Sequence, residues 1–365
     1  MYNHLVQNKT IFLIIFALLA GCNPHPLTTS PTIDASLPSE INKITTTGTP
    51  QPTSTPNLEP LIADLNNADP AIQKMAANTL GEFKDTRAIE PLIEALASET
   101  RDVQDVMIWT LVIFQDLAVE PLIAALKNEN PFVRSGAAQT LGIIADDRAI
   151  GPLMDTLKDI DPNVRAWSAE ALGHFYDPII TDAILIALRD EDAHVRSIAA
   201  NSLGFTAAGD PRALDPLISA LKDENADVRW TAAQSLGYMF DNRAIEPLIE
   251  VLDDEDPTVR KSVLGSLLFI GEPAVEPLTV ALDNEQGLQL VIDEYRSFFE
   301  RGLPGTETIL IKALFQLGNV FIAQDYLNCG NTQLEQAGAK WGNDHGYAVK
   351  RVPEGENKPV WVWGK

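Results

Sequence analysis

From residue 59 onward the apolar positions fall at three- and four-residue spacing, the period of an amphipathic helix, and they recur in a fixed phrase. Glu59-Pro60-Leu61-Ile62 returns as Glu90-Pro91-Leu92-Ile93, Glu120-Pro121-Leu122-Ile123, Gly151-Pro152-Leu153-Met154, Asp215-Pro216-Leu217-Ile218, Glu246-Pro247-Leu248-Ile249 and Glu276-Pro277-Leu278-Thr279. Successive copies lie 30 to 31 residues apart, except for 64 between Gly151 and Asp215. That gap holds a degraded copy at Thr181-Asp182-Ala183-Ile184 and an insertion near Ala207-Ala208-Gly209, so the chain carries seven units and part of an eighth. A period of this length marks an architecture of stacked supersecondary units.

Within a unit, a first helix (A) runs to a leucine such as Leu96, Leu126, Leu157, Leu188, Leu221 or Leu252, and a short acidic loop follows. The second helix (B) opens on Asp69-Pro70, Asn130-Pro131, Asp161-Pro162 or Asp256-Pro257, which places a side-chain acceptor at the N-cap and a φ-locked residue at N1. Val-Arg comes next in most units, then small pairs (Ala76-Ala77, Ala137-Ala138, Ala199-Ala200, Ala232-Ala233) that allow close helix approach. Leu80, Leu141, Leu172, Leu203 and Leu236 fill the layer between helices. The glycine after each leucine (Gly81, Gly142, Gly173, Gly204, Gly237) is expected to end or bend helix B. One helix pair cannot bury its apolar face alone; stacked neighbours do.

This pattern resembles the HEAT-like repeat named after phycobilisome bilin lyases, over residues 59 to about 283. The resemblance implies an all-α, right-handed α-solenoid of two-helix repeats. It implies little about activity, since the family includes scaffolds, bilin lyase subunits and an iron-dependent hydroxylase. That hydroxylase, which modifies deoxyhypusine, holds its iron through repeated His-Glu pairs. None of the histidines here (His4, His25, His174, His194, His345) is followed by Glu, so no iron or other cofactor is expected.

The start of the chain is of another kind. Lys9 precedes an apolar run from Ile11 to Ala20, too short to span a bilayer core of roughly 30 Å. It ends in Leu19-Ala20-Gly21-Cys22, which resembles the lipobox of bacterial lipoproteins and implies lipidation of Cys22. An ordinary secretory signal is the other reading, and both imply export. Asn23 after the cysteine resembles lipoproteins passed on to an outer membrane, so a cell-membrane or outer-membrane anchor facing the periplasm or exterior is expected. Residues 23–57 are rich in Pro, Thr and Ser, with too few apolar side chains to offset the entropy of ordering. As a flexible stalk they would span roughly 30–35 Å.

Charge narrows the partners. The chain carries 51 acidic against 27 basic residues, a net charge of −24 that repels nucleic acid. With Cys22 acylated, Cys329 has no disulfide partner within the chain, and stability rests on packing.

After the last repeat, residues 286–300 look like an amphipathic helix, Gly302 to Gly305 a turn, Glu307 to Tyr326 and Thr332 to Trp341 further helices, and a Val-rich ending turns at Pro353 to Lys358. The stretch from Gly305-Thr306-Glu307 through Cys329-Gly330-Asn331 to His345-Gly346-Tyr347 is similar to a tail of other bacterial HEAT-repeat proteins. The expected organisation is a leader at 1–21, a stalk at 22–57, the solenoid at 58–283 and a helical C-terminal cap at 284–365.

Four constellations stand out. An arginine row (Arg134, Arg165, Arg196, Arg229, Arg260, with Gln73 and Gln104 in its first two places) sits beside acidic loops and reads as an ion-paired ladder between units. The loops themselves (Asp190-Glu191-Asp192, Asp223-Glu224, Asp253 to Asp256) lack the glycine turn and terminal Glu of a calcium loop and read as caps, so no metal is expected. Cys329 with Asp344 and His345 is the one hint of nucleophilic chemistry; a small apolar cap residue is the favoured reading. Counted from the Val of each B helix, positions two, six and ten share one face. Position ten carries His174, Phe205, Tyr238 and Phe269, position six carries Trp109 and amides, and position two carries Trp230. These six residues are the expected contacts for a protein or peptide partner, with packing between units as the competing explanation. The expected role is a non-enzymatic scaffold or adaptor; an enzyme or enzyme subunit, and a glycan binder using the scattered tryptophans, are the alternatives.

Overall fold

The computed structural model describes residues 57–175, 177–206, 210–354 and 358–364, with the side chains of 206 and 349–364 excepted. The expected leader, Cys22, the stalk up to residue 56 and the insertion at 207–209 lie outside the described residues.

Short and long helices alternate. They are α1 (Glu59–Asp64) with α2 (Pro70–Phe83), α3 (Ile89–Glu94) with α4 (Arg101–Ile113), α5 (Asp116–Ala125) with α6 (Pro131–Ile144), and α7 (Ile150–Thr156) with α8 (Pro162–Leu172). Then come α9 (Pro178–Ala187) with α10 (Ala193–Thr206), α11 (Pro211–Ala220) with α12 (Ala226–Met239), α13 (Ile245–Ile249) with α14 (Pro257–Ile270), and α15 (Glu272–Ala281) with α16 (Glu285–Arg301). Odd numbers are A helices and even numbers B helices.

The capping chemistry is as the sequence implies. Asp69, Asn130, Asp161 and Asp256 each accept a backbone N–H from the residue two positions on. Leu80, Leu111, Leu141, Leu172, Leu203, Leu236 and Leu267, one in each B helix from α2 to α14, are fully buried and belong to a continuous core.

Consecutive B helices pack along more of their length than consecutive A helices do. Arg101 on α4 reaches Gln139 on α6 at 3.3 Å, and its guanidinium lies 4.7 Å from the ring centroid of Trp167 on α8. Arg101 thus bridges three successive B helices along one face of the stack.

Gly173 ends its helix as expected, standing as the C-cap of α8, but the helices holding the other four glycines run on past them. In α2, α6 and α12 the helix continues past Gly81, Gly142 and Gly237 and stops at Lys84, Ala145 and Phe240, non-glycine residues in the left-handed conformation. A Cβ at Gly142 would sit 2.6 Å from the Ala171 Cα, and one at Gly204 would sit 2.6 Å from the Ser235 Oγ and 2.8 Å from its Cβ. Each glycine is therefore a seat for a small residue of the next B helix. Ser202 and Ser235, seated this way, donate to the carbonyls of Ala169 and Ala200 in the preceding unit. In α4 the place is taken by Val112, and the joint between units two and three is made instead by Leu96 against Gly136.

The C-terminal region departs from expectation in two places. The single helix expected over Glu307 to Tyr326 is two, α17 (Glu307–Leu317) and α18 (Val320–Leu327), because Asn319 caps a new start through the N–H groups of Phe321 and Ile322. Beyond α19 (Thr332–Asp344) the chain ends in an antiparallel hairpin, β1 (Ala348–Glu354) on β2 (Lys358–Gly364), so the cap is not purely helical. The tail motif is a clasp. The Glu307 carboxylate accepts the Gly305 N–H at 2.8 Å and the Asn331 side-chain amide at 3.0 Å, while Asn331 caps α19. The fully buried Tyr326 donates its hydroxyl to the Leu310 carbonyl at 3.0 Å.

Candidate functional site

The B-helix stripe divides into two parts. Trp109 on α4 is 61 % exposed, and His174, which follows α8, is also exposed. Phe205, Trp230, Tyr238 and Phe269 are half-buried, and three of them form a ladder across units five to seven. Phe205 meets Tyr238 at 5.4 Å between ring centroids, and Tyr238 meets Phe269 edge-on at 5.6 Å. Arg301, at the last turn of α16, lies 4.5 Å above the Phe269 ring. Trp109 and His174 are not part of this ladder. One turn back along the same face, the carboxamides of Asn201 and Gln234 make no hydrogen bond among the described residues. Trp230 is one turn farther on α12.

The arginine row is a structural ladder. Arg134 makes a two-pronged bond to Asp159 (2.8 and 2.7 Å), and Arg165 to Asp190, Arg196 to Asp223 and Arg229 to Asp254 repeat it between successive units. Each arginine also donates to two carbonyls of its own A–B turn, and each aspartate also accepts a loop N–H. Burial pushes these carboxyls up, but the guanidinium and amide donors outweigh it and hold all four below the usual carboxylate range. Arg260 closes the row with carbonyl bonds to Asp254 and Glu255, because the next unit places Asn284 where the others have aspartate. In unit two Gln104 bonds the carbonyls of Leu96 and Phe132 instead.

A second set escaped the sequence analysis. In four B–A turns an aspartate accepts the backbone N–H of the arginine two residues on and pairs with its guanidinium: Asp85 with Arg87, Asp146 with Arg148, Asp210 with Arg212 and Asp241 with Arg243. These bonds lower the Asp85 and Asp146 carboxyls to about 2. The recurring Asp-x-Arg-Ala was visible in the sequence but lies on a turn, where helical periodicity is blind.

The acidic loops behave as caps and ladder rungs, with Glu191, Glu224 and Glu255 about 90 % exposed beside them. Among the described residues no group of three or more His, Cys, Asp or Glu is placed to hold a metal ion. No helix among them is long and apolar enough to cross a membrane. Cys329 is half-buried, its sulfur 4.0 Å from the Asn331 carbonyl, and burial pushes its thiol up. That is the opposite of activation for attack. His345 is held elsewhere, its Nδ1 2.7 Å from the Trp341 carbonyl and its ring stacked on Trp341 at 3.9 Å.

Comparison with known proteins agrees with this architecture. The family described as HEAT repeats matches residues 46–112, 101–173, 152–228 and 214–291. No curated protein matches the chain. Among solved structures, one described as the Kap95:Nup1 complex is similar at a TM-score of 0.54 and 16 % identity, over 78 % of this chain and 46 % of that one. An engineered protein is similar at 0.43 and 22 % identity, over 78 % and 87 %. The CpcE and CpcF complex of phycocyanin lyase from Nostoc sp. PCC7120 is similar at 0.37 and 21 % identity, over 67 % and 98 %.

Proposed function

The chain belongs to the HEAT-repeat family, and on that premise we propose that it is an exported, lipid-anchored scaffold that binds a protein or peptide segment along its B-helix face. The observation that carries the reading is the stripe through units five to seven. Half-exposed aromatic rings, and carboxamides that make no hydrogen bond among the described residues, line the B-helix face of the stack. Such a surface combines large apolar contact area with fixed polar groups, the composition of a recognition face.

The anchor rests on Leu19-Ala20-Gly21-Cys22. Several acyl chains on Cys22 would exceed the marginal hold of a single chain, at about 0.8 kcal/mol per buried CH₂. A non-enzymatic role is supported by the raised Cys329 thiol and by the use of the loop carboxylates in caps and rungs.

Two measurements test this. Radiolabelled palmitate should enter the wild-type chain and not Cys22→Ala, which should move to the soluble fraction. Crosslinked capture from native membranes should recover a reproducible protein that is lost with Trp230→Ala/Tyr238→Ala. Retention of that protein by a double variant with reduced thermal stability would reduce the stripe to packing.

A further inference from the structure

The aromatic ladder ends on a cation, Arg301, whose guanidinium makes no hydrogen bond among the described residues. Arg301 is exposed, and among the described residues its guanidinium has no carboxylate partner; it lies over the Phe269 ring, which also meets Phe240 at 4.9 Å and Tyr238 at 5.6 Å. A position at the end of α16 suits a cation through the helix dipole, but the dipole does not require a stack on a ring. A guanidinium over a ring face keeps its forked N–H groups available to a carboxylate while the ring supports its charge.

We propose, building on the scaffold reading, that Phe205, Tyr238, Phe269 and Arg301 form an anchor subsite for an extended peptide that carries an aromatic side chain next to a side-chain carboxylate. The aromatic side chain packs on the half-exposed ladder, and the carboxylate meets the open fork of Arg301 in a two-pronged bond. The carboxamides of Asn201 and Gln234, each both donor and acceptor, face the peptide backbone from successive helices one turn away. The net charge of −24 disfavours a run of acidic residues at long range, so the match is to one carboxylate placed locally.

The test uses the full chain and four acetylated, amidated, fluorescein-labelled hexapeptides with Phe-Glu, Phe-Gln, Phe-Lys or Ala-Glu at their centre, read by anisotropy. Phe-Glu should bind about tenfold more tightly than Phe-Gln, and more tightly than Ala-Glu or Phe-Lys. Arg301→Gln, at an exposed position, should keep the wild-type melting temperature and abolish the preference for Glu over Gln. Equal binding of Phe-Glu and Phe-Gln, a preference that survives Arg301→Gln, or the absence of saturable binding overturns the anchor. Crosslinked capture reports on the scaffold reading separately: a captured partner together with non-discriminating peptides removes the anchor and leaves the scaffold.

Discussion

Arg229 illustrates how one residue ties two repeats. Its guanidinium bonds both oxygens of Asp254 in the next unit and two carbonyls of its own turn, with its side chain 9 % exposed. Arg229→Leu removes the partner of a nearly buried carboxylate, and urea denaturation at pH 7 should show a loss of about 2–4 kcal/mol. Arg260→Leu should cost less, because Arg260 has carbonyl partners alone. The pH dependence has a definite sign. Asp254 is held below its unfolded value, so its contribution is present above about pH 4 and is lost as pH falls through the folded value. The difference between wild type and Arg229→Leu should therefore shrink below about pH 4; a constant difference would mean that the arginine acts through packing.

Between elements, the glycine seats set how closely B helices approach. Helix propensity alone predicts that Gly→Ala inside a helix stabilises by about 1 kcal/mol. Gly204 and Gly265 separate propensity from packing. A Cβ at Gly204 meets Ser235 in the next helix, whereas nothing lies within 4 Å of one at Gly265. Gly204→Ala should destabilise by about 1–3 kcal/mol through overpacking, and Gly265→Ala should stabilise by about 0.5–1 kcal/mol. Thermal melts of the two variants decide it, and a shift of the same sign in both would remove the seat explanation. Gly173 does stop α8, but Gly81, Gly142, Gly204 and Gly237 do not end their helices, because a glycine inside a helix and one at its end carry the same local signal. What distinguishes them is the neighbour 29 to 31 residues on, such as Ala171 for Gly142 or Ser235 for Gly204.

At the scale of the molecule, self-repulsion from a charge of −24 opposes a stack held by apolar layers and by arginine rungs whose side chains are 9–12 % exposed. Salt screens the dispersed surface charge more than the shielded rungs. Raising NaCl from about 0.02 to about 0.2 M should raise the melting temperature by roughly 2–5 °C; a decrease would mean that exposed pairs dominate. The stripe was legible as a face, since positions four apart lie together on any helix. Its division into a ladder through Phe205, Tyr238 and Phe269, an exposed Trp109 outside that ladder and an Arg301 over the Phe269 ring was not, because those contacts join different units. By itself the sequence determined the repeat, its helix starts and its buried leucines, all of which depend on residues within a turn or two of one another. The tertiary structure decided which arginine meets which aspartate, what the glycines receive and which rings stack. Those choices depend on distance and direction between segments some 25 to 35 residues apart, and these quantities exist only once the units have stacked.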